Sequence, residues 1–290
     1  MANLKEIRTR ISSVSSTQQI TSAMKMVSAA KLRKSQSLIL KLRPYSAKMT
    51  EIVRHLGSGD ANDIPYVRTE KKAKVLILVL TSNKGLCSTF NSNVIKAAVA
   101  RVRQYETDNE VENTALWCFG KRGADALRKI GGMDVQEEND EIWDKFDFSM
   151  VEEVANRLME DFIAKKYDRI EIIYNKFKNS ATSILTTETF LPLSISKEEA
   201  SAKNNDYIFE PNKASIIENI IPQSLKTQMY KCFLDSFASE HGTRMTSMHK
   251  ATDNAQNLLK DLNLTYNKIR QSAITNEIIE ICSGANALNE

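Results

Sequence analysis

The residues best placed for chemistry in this chain lie at 81–89, Thr-Ser-Asn-Lys-Gly-Leu-Cys-Ser-Thr, between an apolar run and a helix-forming segment. Phosphate-binding loops sit at strand-to-helix turns of this kind, because the first amides of a helix lack intrahelical acceptors. The spacing argues against a nucleotide. Neither GxGxxG nor GxxxxGK[ST] is present, Lys84 precedes Gly85, the turn's only glycine, and no suitably placed acidic residue ends the second strand. Cys87 at a helix start could act as a nucleophile with a base beside it, but no histidine is near it in sequence. The histidines are His55, His241 and His249; the last two are eight apart, whereas metal ligands on one helix sit three or four apart. Glu137, Glu138, Asn139, Asp140 and Glu141 lack the glycine of a calcium loop and read as a solvated loop. Cys87, Cys118, Cys232 and Cys282 have no CxxC spacing, so neither a zinc site nor a disulfide framework is indicated, and they read as reduced, partly buried thiols. No nucleophile, base and oxyanion donor can be assembled, so the reading is of a non-catalytic protein without cofactor or metal.

The elements around these residues fall into three segments. Residues 1–56 hold one proline, Pro44, no glycine, and much Ala, Ser, Met, Lys and Arg, a composition that permits one long helix. Leu4, Ile7, Ile11 and Val14 step by three and four, and Leu38, Leu42, Tyr45, Met49, Ile52 and Leu56 do so after a change of phase. Residues 211–290 repeat the pattern more strongly. Met245, Met248, Thr252, Ala255, Leu259, Leu262, Tyr266, Ile269 and Ala273 form a seam, and Ile217, Ile221, Leu225, Met229, Phe233 and Phe237 precede it, with Gly242 the main weak point. A continuous helix from about 213 to 284 would be about 110 Å long at about 1.5 Å per residue, so its seam needs the N-terminal helix or a partner to cover it. Between the helices, residues 57–210 alternate strand and helix: strands at 74–81, 115–119, 169–174 and 183–191, and helices at 90–106, 121–130 and 150–165. This predicts an α/β domain with a mainly parallel, Rossmann-like sheet, flanked by linkers at 57–72 and 197–210.

Charge is unevenly spread. Residues 1–56 carry 11 Lys/Arg against 2 Asp/Glu, the middle 21 against 26, and residues 211–290 8 against 8. A basic helix suits nucleic acid, anionic lipid or an acidic protein surface, or is a solvated face with no partner. No run of about 18 apolar residues spans a membrane, and the N-terminus reads as helix rather than as a signal or transit peptide.

Along essentially its whole length the chain resembles the gamma subunits of F-type ATP synthases. The resemblance rests on Ile7-Arg8, on residues 20–31 (Ile-Thr-Ser-Ala-Met-Lys-Met-Val-Ser-Ala-Ala-Lys), on residues 238–241, Arg244-Met245, 251–255, 266–271 and 274–280 through Gly284-Ala285, and on 81–93. It implies an antiparallel coiled coil of the two terminal helices, with the α/β domain inserted between them. It implies a rotor shaft within a hexamer of three alpha and three beta subunits, driven by the ion-conducting membrane ring (c-ring) and accompanied by an epsilon subunit. The asymmetric shaft would carry the catalytic beta subunits through states of different nucleotide affinity. By position, Met24, Lys25, Lys84, Arg270, Gln271 and Thr275 would meet the hexamer, and Tyr207 and Glu210 the ring or epsilon. The resemblance also implies no cofactor, no nucleic-acid partner, no membrane insertion and a place at the cytoplasmic face of a bacterial membrane. Ser88-Thr89 replace two glycines usual in the family, Asn83-Lys84 replace Asp-Arg, and the cysteine pair of the redox-regulated chloroplast form is not apparent.

Overall fold

The computed structural model describes residues 4–56, 65–67, 73–107, 111–139, 141–143, 146–180, 182–193 and 213–287. Helix α1 runs Leu4–Leu56 and α5 Lys213–Ala287, each containing one proline, Pro44 and Pro222. Between them lie β1 (Ala73–Leu80), α2 (Phe90–Glu106), β2 (Val111–Phe119), α3 (Lys121–Ile130), β3 (Asp134–Asn139), α4 (Phe148–Ile163), β4 (Arg169–Phe177) and β5 (Ser183–Leu191). The sheet order is β3-β2-β1-β4-β5, parallel except for the antiparallel edge β5. An α/β domain with a mainly parallel sheet is therefore inserted between two long helices. The chain divides into two compact units, Ala29–Arg244 and Met1–Ser28 with Met245–Glu290.

In the larger unit the central strand explains the layers. β1 is apolar without a break from Val75 because both its faces are covered. Leu76, Leu78 and Leu80 pack with residues of α4 and with Ile221, Leu225, Met229 and Phe233 of α5. Val75, Ile77 and Val79 pack against Val94, Ala98 and Val102 of α2 and Ala124 and Leu127 of α3. The α5 residues are those picked out by their i+4 spacing. Across from them α1 buries Leu32, Ser35, Ile39 and Met49. Of the α1 positions read from the sequence, Ile7 and Met49 are buried and Leu4, Ile11, Val14, Leu38, Leu42 and Ile52 half-buried, but Tyr45 is exposed, a correction, and the buried stripe also runs through serines that apolar counting passes over.

The acidic stretch is corrected too. Residues 134–139 form β3, which pairs in parallel with β2. An edge strand has a neighbour on one side only and needs no apolar run, and charge along it opposes pairing with other chains.

In the smaller unit, Thr252 Oγ1 donates to Thr21 Oγ1 at 2.9 Å and Lys25 Nζ lies 3.3 Å from His249 Nδ1. One position rises as the other falls, so the helices run antiparallel. The seam from Met245 to Ala273 is buried or half-buried at all nine positions read from the sequence. By the same register Leu4, where the described part of α1 begins, falls opposite about residue 269, and α5 continues to Ala287.

Candidate functional site

The loop at the C-terminal end of β1 lies where the α2 connection leaves for β2 on one side and α4 returns to β4 on the other. In a doubly wound sheet this crevice takes the ligand. Here several of its hydrogen-bonding groups are engaged within the protein. The N–H groups of Lys121, Arg122 and Gly123, the first of α3, donate to Asn83 Oδ1 (3.2 Å), the Ser82 carbonyl (3.2 Å) and Thr81 Oγ1 (3.0 Å). At α2, Phe90 N–H donates to the Cys87 carbonyl at 3.2 Å, and Asn91 Oδ1 accepts from Ser82 N–H at 3.0 Å. The first amides of α3, and those of Ser82 and Phe90, are thus already paired. A Cβ on Gly123 would stand 2.5 Å from Thr81 Oγ1, so glycine is what lets α3 begin against the loop.

The opening is filled by α5. Ser239 Oγ donates to the Asn175 carbonyl at 2.9 Å, and Asn175 Nδ2 donates to the Phe90 carbonyl at 3.0 Å. Gly242, read from the sequence as a weak point in the helix, lies where a Cβ would be 3.0 Å from the Ser180 carbonyl oxygen. Two residues on, Arg244 Nη1 donates to Glu240 Oε1 at 2.5 Å, and Arg244 Nη2 donates to the Lys84 carbonyl at 2.9 Å. His241 packs edge-on to Phe237, and burial, with Arg244 and Lys31 nearby, pulls its imidazole down to about 3. It is neutral at pH 7, and its Nε2 has no hydrogen-bond partner among the described residues. Burial raises the Cys87 thiol, so it is no nucleophile. Cys118 and Cys232 are buried as well, whereas Cys282 is exposed.

The residues expected to meet partners occupy different settings. Met24 and Lys25 are half-buried in the smaller unit, where the Lys25 contact His249 also lies 3.5 Å from Asp253 Oδ2. Arg270, Gln271 and Thr275 are exposed on α5, with Thr275 Oγ1 donating to the Gln271 carbonyl at 2.9 Å. Beside and beyond them Ile274, Ile278, Ile279 and Ile281 are exposed by 48, 55, 56 and 71%. In the larger unit Lys84 is exposed at the loop's outer edge. Tyr207 and Glu210 lie outside the described residues. In the sequence Glu240 and Arg244 stand out only among the residues that carry the family resemblance. Their signal was local: a charge pair at i and i+4 continuing the apolar stripe of Phe233 and Phe237.

A protein-family model described as ATP synthase matches residues 3–288. The ATP synthase gamma chain of Flavobacterium johnsoniae is 53% identical, with 100% of both chains covered. That of Cytophaga hutchinsonii is 46% identical over the same full coverage. Among solved structures, a chain of the Euglena gracilis mitochondrial ATP synthase (OSCP/F1/c-ring, rotational state 3) superposes with a TM-score of 0.66 at 19% identity, covering 98% of this chain and 94% of that one. A chain of the Tetrahymena thermophila central stalk/c-ring gives 0.57 at 23% identity, covering 80% and 99%. At those identities the superpositions speak for the fold, and the full-length sequence matches for the family. An α/β domain whose crevice is filled by its own helix, between two helices that pair antiparallel, is thus the fold of a chain that belongs to the ATP synthase gamma chain family.

Proposed function

We propose that this chain is the central rotor shaft of a bacterial F-type ATP synthase, coupling ion flow through a membrane ring to the conformational cycle of the catalytic beta subunits. The observation that carries the reading is the end of α5. It continues past the described start of α1 and presents isoleucines to solvent, a surface that a surrounding sleeve of subunits would cover. A rotating surface changes a site's affinity only by contacting its states differently. A helix end with different residues on each side supplies that difference as a function of angle.

In this reading residues 1–56 and 211–290 form the shaft and 57–210 the domain that engages the ring. Met24, Lys25, Lys84, Arg270, Gln271 and Thr275 contact the alpha and beta subunits, and Tyr207 and Glu210 the c-ring or epsilon subunit. No described helix is long and apolar enough to cross a membrane. Attachment is peripheral, at the cytoplasmic face of the cell membrane, through the complex.

The test is reconstitution of the full chain with the alpha and beta subunits of its own organism. The expected result is a stable complex whose ATP hydrolysis depends on this chain and falls when residues from Asn267 onward are removed. Failure to join the hexamer, or turnover indifferent to its presence, would overturn the reading.

A further inference from the structure

Arg244 is a charged residue only 6% exposed, and its guanidinium is committed to the interior. Nη1 meets Glu240, Nη2 donates to the Lys84 carbonyl at 2.9 Å, and Nη2 and Nε each lie 3.4 Å from the Gly85 carbonyl oxygen. Ser82 Oγ adds a second bond to the Lys84 carbonyl at 2.7 Å. Two residues farther along, the backbone is in a region that L-residues avoid: Leu86 has φ 63° and Ser88 φ 51°. The start of the loop is anchored by α2 and α3 through Ser82 and Asn83. Its crest, with Lys84 and Leu86 exposed, is held at the carbonyls of residues 84 and 85.

We infer that Arg244 is a positioning residue: from α5 it holds the crest of the loop 83–88 in a strained conformation that presents Lys84 as a rigid contact on the α/β domain. The planar fork suits this task, since one group reaches two carbonyls and a carboxylate at once. A lysine ammonium at the same place has the charge without the fork. The inference rests on the reading of Lys84 as a hexamer contact, and the experiment separates the two.

Arg244→Lys, Lys84→Ala and the double variant are compared in the full chain and in its complex with alpha and beta subunits. Hydrogen exchange at the amides of residues 85–88 should be about ten-fold faster in Arg244→Lys and unchanged in Lys84→Ala. In the complex each single variant should lower ATP turnover, with the double variant no slower than the worse single one, because Arg244 acts through Lys84. Adding Ser88→Gly to Arg244→Lys, which relieves one strained position, should return part of the lost turnover. Glu240→Gln, a milder change should Arg244→Lys not fold, should speed exchange at the same amides by a smaller factor. Unchanged exchange in both Arg244→Lys and Glu240→Gln, or losses that multiply in the double variant, would overturn the inference. Faster exchange in Arg244→Lys with normal turnover in Lys84→Ala would uphold the positioning role and overturn the Lys84 contact.

Discussion

His241 and Asp235, two ionisable side chains buried on α5, make opposite contributions to stability as pH changes. His241 is pulled down to about 3, chiefly by burial, against an ordinary value of 6.5. Between those values the unfolded chain binds a proton that the native one refuses, so stability is lost as pH falls, by about 2 kcal/mol from pH 7 to pH 5. Asp235, 3% exposed, is raised by burial from 3.8 to about 6, although Lys231, Arg43 and Lys176 lower it. Here the native chain keeps a proton that the unfolded one releases, and stability is gained over the same step, by about 1 kcal/mol. Each masks the other. Urea midpoints at pH 5 and pH 7 should therefore show Asp235→Asn losing more stability on acidification than the unmodified chain, and His241→Asn losing little or gaining. Identical pH shifts in all three would refute the assignment. At the loop, Ser88→Gly should stabilise the chain by about 0.5–1 kcal/mol, since a φ of 51° suits glycine; a lower midpoint would contradict the strain. The sequence marks position 88 as a departure from family habit, but the backbone conformation that gives the departure a cost appears only in the fold.

At the scale of the element, Gly242 separates two accounts of α5. Helix propensity alone makes Gly242→Ala stabilising by about 1 kcal/mol. The Ser180 carbonyl, 3.0 Å from where the new Cβ would be, reverses the sign. Net destabilisation of about 1 kcal/mol is expected in thermal melts, and a gain would mean that the 180 turn yields. This contact is invisible in sequence because its partner lies about 60 residues away on another element. The regular elements were more legible. The helices expected at 90–106 and 121–130 coincide with α2 and α3, whose apolar spacing follows burial on one face, and the strand expected at 183–191 coincides with β5. β2 begins four residues before the expected strand, since Val111–Thr114 are more polar, and β3 falls where a loop is expected, since an edge strand is held by backbone bonds with little apolar signal. In α1 apolar counting passes over Ser28 and Ser35, which are buried, and Ser46, which is half-buried, all small enough for helices to approach closely.

At the scale of the whole molecule, folding and assembly draw on different residues. Beyond Ala273, α5 makes no seam and its isoleucines are exposed, so deleting residues 274–290 should leave the unfolding midpoint of the free chain within about 0.5 kcal/mol of the full-length value. The same deletion should weaken association with alpha and beta subunits. A large loss of stability would show that the tail belongs to the fold. If assembly uses both the apolar end of α5 and the basic α1, as proposed, raising salt from about 50 to about 200 mM should weaken it less than about ten-fold, whereas binding to a nucleic-acid backbone would lose on the order of a thousand-fold. Titration of the complex at several salt concentrations decides between them. The filled crevice has a further consequence. Ser239, Gly242 and Arg244 act as an intramolecular ligand for the α/β domain, delivered at an effective concentration set by the covalent chain. A metabolite arriving at ordinary cellular levels would have to displace a tethered competitor that never diffuses away.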